Sequence, residues 1–225
     1  MFEVKETSEI LSYGEKISMK EEKSVSIQTL RRLPVYLHYL KSLGGALPMV
    51  SATVIAEALG QNDVQVRKDL GSVSGSGRPK KGYVTAELID EIEDYLGFGA
   101  KSKAVLIGAG NLGRALLSYQ GFSDYGLDIV AAFDNSSAVV GRAVSGRIVQ
   151  PLSELERICK KYDVKVGIIT VPSSGAQKAA DELIIHGIKA IWNFAPTVIK
   201  VPEGVLVENE NLASSLAVLT KHIGE

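Results

Sequence analysis

A glycine-rich turn between an apolar run and an amphipathic stretch limits the possible folds most strongly. Lys103-Ala-Val-Leu-Ile107 is typical of a buried strand, Gly108-Ala109-Gly110-Asn111-Leu112-Gly113 follows it, and a helix is expected from Asn111 to Gln120. In this context the GxGxxG spacing predicts a dinucleotide-binding turn. The first glycine permits a tight turn, the second lets the backbone approach a pyrophosphate, and the third allows close helix–strand packing. The phosphates would lie at the positive end of the helix.

An acidic residue lies at the end of the second predicted strand, where a dinucleotide-binding turn requires one. Leu127 to Phe133 predicts a second strand, and Asp134 closes it. A carboxylate at this position accepts hydrogen bonds from the ribose hydroxyls of adenosine and repels a 2′-phosphate. The pattern therefore favours NADH and NAD⁺ over NADP. The glycines could instead serve sheet packing alone, but strand, motif and acid together make that the weaker interpretation.

Strand-like and helix-like segments alternate from residue 103 onward, which predicts an α/β domain with a parallel, doubly wound sheet of the Rossmann type. Thr170, Val171 and Pro172 follow one later strand, and Asn193 and Phe194 follow the next. Ligands in such sheets bind beyond the carboxyl ends of the strands, so these residues are expected to flank the nicotinamide half. Taken singly, each fits a role in starting the next helix equally well.

Positive charge is concentrated before the glycine-rich turn. The chain has a formal net charge of −1, but residues 23–86 carry nine Lys or Arg against three Asp or Glu, a net of +6. This basic segment is the candidate for binding a polyanion. A merely solvated basic face is the alternative, so charge by itself is weak support.

The basic segment also has the pattern of a DNA-binding module. Its apolar spacing predicts three short helices, at residues 27–43, 51–59 and 62–70. Only Gly60 and Gln61 separate the last two, and two short helices joined by a tight glycine turn are typical of a helix-turn-helix. Residues 71–85 are glycine-rich and basic and predict a hairpin, or wing. A connecting helix is expected from Glu87 to Leu96.

The third helix is the predicted recognition helix, which reads base edges from its first turns and contacts phosphates elsewhere. Asn62 is expected to cap it, with Gln65 completing a capping box. The wing would grip phosphates or enter a minor groove. The candidate DNA-contacting residues are Ser51, Asn62, Gln65, Arg67, Lys68, Arg78, Lys80 and Lys81.

Several other classes of protein fit the sequence poorly. There is no run of about 18 uncharged apolar residues, so no membrane span is expected. Cys159 is the only cysteine, which fits a reducing cytoplasm, and no His/Cys cluster suggests a metal site. An NAD-dependent oxidoreductase is the main rival. It would need a positioned acid or base, and no histidine follows a predicted strand. A Rossmann domain that binds coenzyme A is a further rival, against which Asp134 argues because an acid suits a ribose diol.

Taken together, these motifs resemble Rex, the redox-sensing transcriptional repressor family of bacteria. The resemblance runs from about Ser26 to Ile223. It is carried by Arg32-Leu-Pro34, Asp63-Val-Gln-Val-Arg-Lys-Asp-Leu70, Gly82-Tyr83, Ile107-Gly-Ala-Gly-Asn-Leu-Gly113, Ala132-Phe-Asp134, Thr170-Val-Pro172 and Asn193-Phe-Ala-Pro196.

The resemblance implies a homodimer of winged-helix and Rossmann domains that senses the NADH/NAD⁺ ratio. The protein would hold a palindromic operator in double-stranded DNA when free or NAD⁺-bound, and NADH would release it. The expected segments are a mobile tail at residues 1–24, a DNA-binding domain at 25–98, a Rossmann domain at 99–208 and a dimerisation helix at 209–225. In the family this last helix swaps between the two partners.

The chain departs from the family pattern at one point. Some members carry an Asp-Phe pair before the swapped helix, close to the partner's nicotinamide and the hinge, whereas Asn211-Leu212 stands here. A neutral Asn cannot form the same charge-assisted pair with an arginine such as Arg32. The contact that this pair makes near the hinge in the family's nucleotide-dependent switch is therefore expected to differ here, at Arg32, Asn211 and Leu212.

Overall fold

A computed structural model of the chain describes residues 25–223, and the predicted tail at residues 1–24 lies outside them. The described residues divide into two compact units, one that ends at Ile92 and one that begins at Glu93. The division falls within a helix, close to the predicted start of the Rossmann domain. The predicted segment boundaries themselves stay predictions.

The N-terminal unit contains the predicted helix-turn-helix. Its described elements are α1 (Ile27–Ser42), β1 (Met49–Val50), α2 (Ala52–Leu59), α3 (Asp63–Val73), β2 (Tyr83–Val84) and α4 (Thr85–Leu96). Gly60 ends α2 in the left-handed conformation, with φ +60°, which frees the chain to begin α3 three residues later. The two strands pair antiparallel, Met49 opposite Val84. The core joins all four helices through Leu37, Ile55, Leu70, Leu88 and Ile92.

Two local predictions in this unit were wrong. Residues 71–73 belong to the last turn of α3 and not to the wing, because Ser74 N–H still donates to the carbonyl of Leu70. The capping box is only half formed. Asn62 accepts a hydrogen bond from the Gln65 N–H at 3.1 Å, but the Gln65 side chain does not reach back to Asn62. It donates instead to Asp69, four residues along the same helix.

The C-terminal unit is the predicted α/β domain. Its described elements are β3 (Ser102–Ile107), α5 (Asn111–Ser118), β4 (Leu127–Asp134), β5 (Ala143–Val144), β6 (Arg147–Ile148), β7 (Gln150–Pro151), α6 (Leu155–Tyr162), β8 (Val166–Ile169), α7 (Ser173–Ile185), β9 (Ala190–Asn193), β10 (Leu206–Asn209) and α8 (Leu212–Ile223), with 3₁₀ turns at Gln120–Tyr125 and Leu152–Glu154. The helix predicted to reach Gln120 ends at Ser118, because Tyr119 has an extended backbone.

The six-stranded sheet has the order β10-β9-β8-β3-β4-β7, and every neighbouring pair is parallel. This is the 3-2-1-4-5-6 order of Rossmann folds. The chain moves outward from β3 in one direction through β4 and in the other through β8. A crevice therefore opens at the carboxyl ends of β3 and β8, where such sheets bind their ligands.

Helices cover the two faces of the sheet unequally. Helices α6 and α7 pack on one face over a large core that includes Phe133, Leu155 and Leu183. On the other face α5 covers a smaller core around Leu106 and Leu117. Within the described part of the chain, α8 contributes no buried residue. The sheet is therefore covered by helices on both faces, while α8, the last described helix of the chain, is not packed into the core of this unit.

Candidate functional sites

The glycine-rich turn has the geometry that its sequence predicted. Gly108 has φ +105°, which only glycine adopts readily. A Cβ on Gly113 would lie 2.0 Å from the Gly108 carbonyl oxygen, so α5 can begin against the end of β3 only without a side chain there. At Gly110, by contrast, no described atom outside its two chain neighbours lies within 4 Å of the Cβ position. The turn and packing roles are confirmed, and the approach of a pyrophosphate to Gly110 stays a prediction.

The other residues of the turn differ in accessibility. Ala109 is buried, and its N–H donates to the Asp134 carboxylate at 2.8 Å. Asn111 and Leu112 are exposed in the first turn of α5, where no side chain caps the helix N-terminus. Ala109 therefore orients the acid, while the uncapped N–H groups of α5 face outward and can receive an anion.

Asp134 lies across the end of β4 and faces the glycine turn. One carboxylate oxygen accepts from Ala109 N–H, and the other accepts from Ser136 N–H at 2.8 Å. A carboxylate offers about four acceptor positions, so two bonds leave capacity for a diol. The structure thus holds the acid in place before any ligand arrives.

The loop after β8 is tied to the glycine turn. The Thr170 hydroxyl donates to the Gly108 carbonyl oxygen at 2.6 Å, and Thr170 N–H donates to the Ile107 carbonyl. A Cβ on Gly108 would approach Val171 Cγ1 to 2.8 Å, which shows how closely the two loops pack. These contacts bring two separate sequence motifs to one edge of the sheet.

Between these loops and α7 lies a cavity of about 400 Å³. It brings together six of the predicted cofactor-binding residues: Gly108, Gly110, Asp134, Thr170, Val171 and Pro172. Sequence reasoning missed the rest of its wall, which is Ile107, Asn135, Leu152, Ser174, Gly175, Lys178, Ala179 and Glu182. The α7 members could have been found by following one helical face onward from Pro172.

Asn193 and Phe194 do not line this cavity. The Asn193 side chain is fully buried and donates to the Thr197 carbonyl at 2.9 Å and to Asn209 Oδ1 at 2.8 Å. Phe194 packs on Trp192, with ring centroids 4.8 Å apart. Asn193 therefore stabilises the edge of the sheet, and contact of either residue with a nicotinamide stays a prediction.

In the N-terminal unit, α3 presents an exposed face to solvent. Arg67 and Lys68 are exposed, and Arg67 forms an ion pair with Asp63 at 3.1 Å. Such an exposed pair is worth little and can be exchanged for a phosphate. Val64 is 62% exposed on the same helix and was missed by sequence reasoning. An exposed valine on a recognition helix suits contact with a thymine methyl group.

The wing is a tight turn from Arg78 to Gly82. Arg78 N–H donates to the Gly82 carbonyl, and the Gly82 N–H donates back to the Arg78 carbonyl. Lys80 has φ +64°, and Lys80 and Lys81 are exposed at the tip. No ion pair involving these two lysines or Arg78 is found among the described residues. The turn therefore presents three cations that are available to phosphates.

Three of the predicted DNA-contacting side chains are already used within the protein. Ser51 caps α2 by accepting from Val54 N–H at 3.2 Å, and Asn62 caps α3. The Gln65 amide donates to Asp69 at 2.8 Å. Direct contact of these side chains with DNA stays a prediction, while their observed role is to shape the two helices.

Asp69 is the centre of a buried polar cluster that joins α1 to α3. Its carboxylate accepts from Arg32 Nε at 2.6 Å and Nη2 at 2.9 Å, and from the Tyr36 hydroxyl at 2.9 Å. Gln65 and Thr29 donate to it as well. Burial alone would raise the pKa of Asp69, but these hydrogen bonds outweigh burial and hold the pKa below its ordinary value. Arg32, predicted as a switch residue, is thus engaged within its own unit.

Two features are absent from residues 25–223, the part of the chain that the structure describes. No group of three or more His, Cys, Asp or Glu residues there is arranged to hold a metal ion. No described helix is both long and apolar enough to cross a membrane.

Two family models match the chain. One, described as "CoA binding domain", matches residues 100–197, and the other, described as "Putative DNA-binding protein N-terminus", matches residues 24–71. The two matches fall in the C-terminal and N-terminal units respectively.

Curated relatives and solved structures agree with each other. The chain is 46% identical over 202 residues to the redox-sensing transcriptional repressor Rex of Treponema denticola, covering 89% of this chain and 96% of the relative. It is also similar to RSP, a Rex-family repressor, in a crystal structure with NAD⁺ and operator DNA. That likeness has 33% identity and a TM-score of 0.84, covering 89% of this chain and 93% of the other. The crystal structure of RSP with NADH matches with a TM-score of 0.80 at 33% identity, covering 88% and 94%.

Proposed function

The chain belongs to the Rex family of redox-sensing transcriptional repressors, and from this premise we propose that it represses transcription under the control of NADH. The observation that carries the proposal is the cavity at the carboxyl ends of β3 and β8. There a glycine turn open at Gly110 and an acid held at Asp134 lie side by side. Dinucleotide binding in Rossmann folds needs this pair of features.

The N-terminal unit is the part that binds operator DNA in this proposal. Helix α3 enters the major groove with Val64, Arg67 and Lys68 toward the DNA, and the wing cations hold phosphates. Phosphate contacts fix the register, while contacts with base edges carry the sequence preference. The protein acts in the cytoplasm, where both DNA and NADH are present.

The nucleotide is NADH or NAD⁺ rather than NADP. Both oxygens of Asp134 already accept hydrogen bonds from backbone N–H groups, and a 2′-phosphate placed beside this carboxylate would bring two negative charges together. No metal ion is needed in this assignment, and no catalytic step is assigned. Of the three histidines, His38, His186 and His222, none lines the cavity as the described residues define it.

The repressor works as a homodimer in this proposal, and α8 is the element that joins the copies. Leu216, Val218, Leu219 and Ile223 are all exposed on α8. A helix with this much exposed apolar surface marks an interaction site. A second copy of the chain covers it, as the family resemblance implies, and Asn211 at its start accepts from Ser214 N–H.

The test is a fluorescence-anisotropy titration on a palindromic promoter fragment, repeated with saturating NADH, NAD⁺, NADPH and coenzyme A. Release by NADH alone is the expected result. Release by coenzyme A would favour coenzyme A as the ligand, in line with the description of the family model that matches residues 100–197. DNA binding that none of these nucleotides changes would show that the ligand is misassigned. Absence of DNA binding would return the oxidoreductase as the leading alternative.

A further inference from the structure

Helix α7 provides one wall of the cavity at the carboxyl ends of β3 and β8. Ser174, Gly175, Lys178, Ala179 and Glu182 all line it, and this spacing places them along one face of the helix. From Ser174 to Glu182 the helix advances about 12 Å at 1.5 Å per residue. Because α7 begins beside the glycine turn, Glu182 stands at the end of the cavity away from the phosphate site.

The cavity wall presents both apolar and charged side chains. Leu152 and Ala179 form apolar surfaces on which a flat ring can lie. Lys178 lies beside Ala179 midway along this wall, and Glu182 lies one turn farther along α7; the two are i and i+4 and therefore neighbours about 5–6 Å apart. Among the described residues Lys178 forms no ion pair. Within the same residues, the single ion-pair partner of Glu182 is His186 Nε2 at 3.8 Å, which is charged only when protonated.

A carboxylate beside an ammonium group matches one edge of adenine. Adenine presents an N6 amino donor next to an N7 acceptor, whereas guanine presents two acceptors, O6 and N7. Hypoxanthine, which also carries O6, would likewise turn an acceptor toward the carboxylate. With the ribose held at Asp134 and the pyrophosphate at Gly110, the base is the part of the ligand that extends toward α7.

We propose that Glu182 is the residue that selects adenine, by accepting a hydrogen bond from the N6 amino group, while Lys178 donates to N7. This inference rests on the proposed function, because it assigns a specificity role within the same dinucleotide site. It makes the base, and not only the ribose and phosphates, a determinant of which dinucleotide the repressor senses.

The probes are NADH and its hypoxanthine analogue, deamino-NADH, which differ only in the base. Trp192 is the only tryptophan of the chain, so energy transfer from it to the reduced nicotinamide reports binding of both probes equally. A hydrogen bond to a charged group is worth enough to give a preference for NADH of about ten- to a hundredfold in the wild-type chain. In the Glu182→Gln variant this preference falls to about threefold or less, because an amide can also donate to O6.

Asp181→Asn is the matched control. Asp181 is the preceding residue of α7, is exposed, accepts from Gln177 at 2.8 Å and does not line the cavity. This variant makes the same change of charge and is expected to keep the wild-type preference. Since the readout is a ratio of two affinities in one protein, a loss of folded protein in either variant cancels.

The Lys178→Met substitution is expected to weaken the binding of NADH and of deamino-NADH by a similar factor, because N7 is common to adenine and hypoxanthine. The inference is overturned if wild-type protein binds NADH and deamino-NADH equally, or if Glu182→Gln keeps the full preference. Binding of neither dinucleotide by the wild-type chain would overturn the proposed function together with this inference, and is thereby distinguishable from failure of the base contact alone.

Discussion

At the scale of single residues, Asp69 shows how the recognition helix is held. A carboxylate that is 1% exposed accepts hydrogen bonds from four side chains, three of them on α1. Arg32, one of the donors, is 25% exposed and grips both carboxylate oxygens. Burying an ion pair in this way adds little net stability compared with apolar packing, but it fixes one geometry. The position of α3 on α1 therefore depends on one charge.

Replacing Asp69 by Asn should be strongly destabilising. Arg32 would lose its opposite charge while remaining three-quarters buried, and the amide NH₂ would face donors, so we expect the free energy of unfolding to fall by about 3 kcal/mol. Urea denaturation followed by circular dichroism measures it. The control is Asp63→Asn, which removes an exposed pair with Arg67 and should cost at most about 0.5 kcal/mol. Similar midpoints for the two variants would contradict the role given to Asp69.

Tyr36 should make stability fall at high pH. Burial, together with the hydrogen bond to Asp69, raises the pKa of Tyr36 to about 12 from an ordinary value of 10.0. Because the folded-state pKa is above the unfolded-state pKa, the contribution is complete below pH 10 and is lost as the pH rises toward 12. The measurement is the unfolding free energy against pH, beside the ultraviolet absorbance of tyrosinate. A Tyr36→Phe variant that lost stability over the same range with the same slope would refute the assignment.

At the scale of elements, two glycines in one turn have opposite surroundings. A Cβ at position 113 would lie 2.0 Å from the Gly108 carbonyl oxygen, while a Cβ at position 110 meets no described atom within 4 Å apart from those of its chain neighbours. The first glycine joins α5 to β3, and the second leaves space for a ligand. The same residue type thus serves the fold at one position and the site at the other.

The pair of variants Gly110→Ala and Gly113→Ala separates these roles. Gly113→Ala should displace α5 and lower the free energy of unfolding by about 1–3 kcal/mol through overpacking. Gly110→Ala should leave the free energy of unfolding within about 0.5 kcal/mol of the wild-type value. It should nevertheless weaken NADH binding about tenfold or more, because the new methyl group occupies the space through which the pyrophosphate approaches the backbone. Thermal unfolding and NADH titration of both variants measure this. Unchanged NADH affinity in Gly110→Ala would place the pyrophosphate elsewhere.

At the scale of the whole molecule, the repressor must couple two sites on separate compact units. NADH can release DNA only if it binds the DNA-incompetent state more tightly than the competent one. Helix α8 exposes four large apolar side chains by 60% or more each, so a second copy of the chain is the natural carrier of that coupling.

Reciprocal coupling is the quantitative consequence. If NADH weakens operator binding by some factor, operator must weaken NADH binding by the same factor, and about 5- to 150-fold is usual. NADH titrations monitored by Trp192 fluorescence, with and without saturating operator, measure it. A fragment of scrambled sequence at the same concentration controls for non-specific DNA. Equal NADH affinities with and without operator would exclude a two-state dimer switched by NADH.

The sequence by itself determined the class of fold and the kind of ligand. Both depend on local patterns: apolar runs of strand length, a glycine spacing, and an acid at the end of the next strand. The predicted helix-turn-helix and parallel sheet are confirmed, since a short glycine turn and a strand–turn–helix unit permit few alternatives.

Only the tertiary structure decided which polar side chains are available to a ligand and which are bonded within the protein. Gln65 lies by sequence on the predicted recognition helix, yet its side-chain amide donates a hydrogen bond to Asp69. Asn193 lies at a strand end, yet its side chain is buried and donates to the Thr197 carbonyl oxygen. Glu182 carries no motif and becomes part of the site only because α7 runs beside the crevice. The physical reason is that hydrogen-bond partners and cavity walls join residues far apart in the chain, and local periodicity holds no record of those pairings.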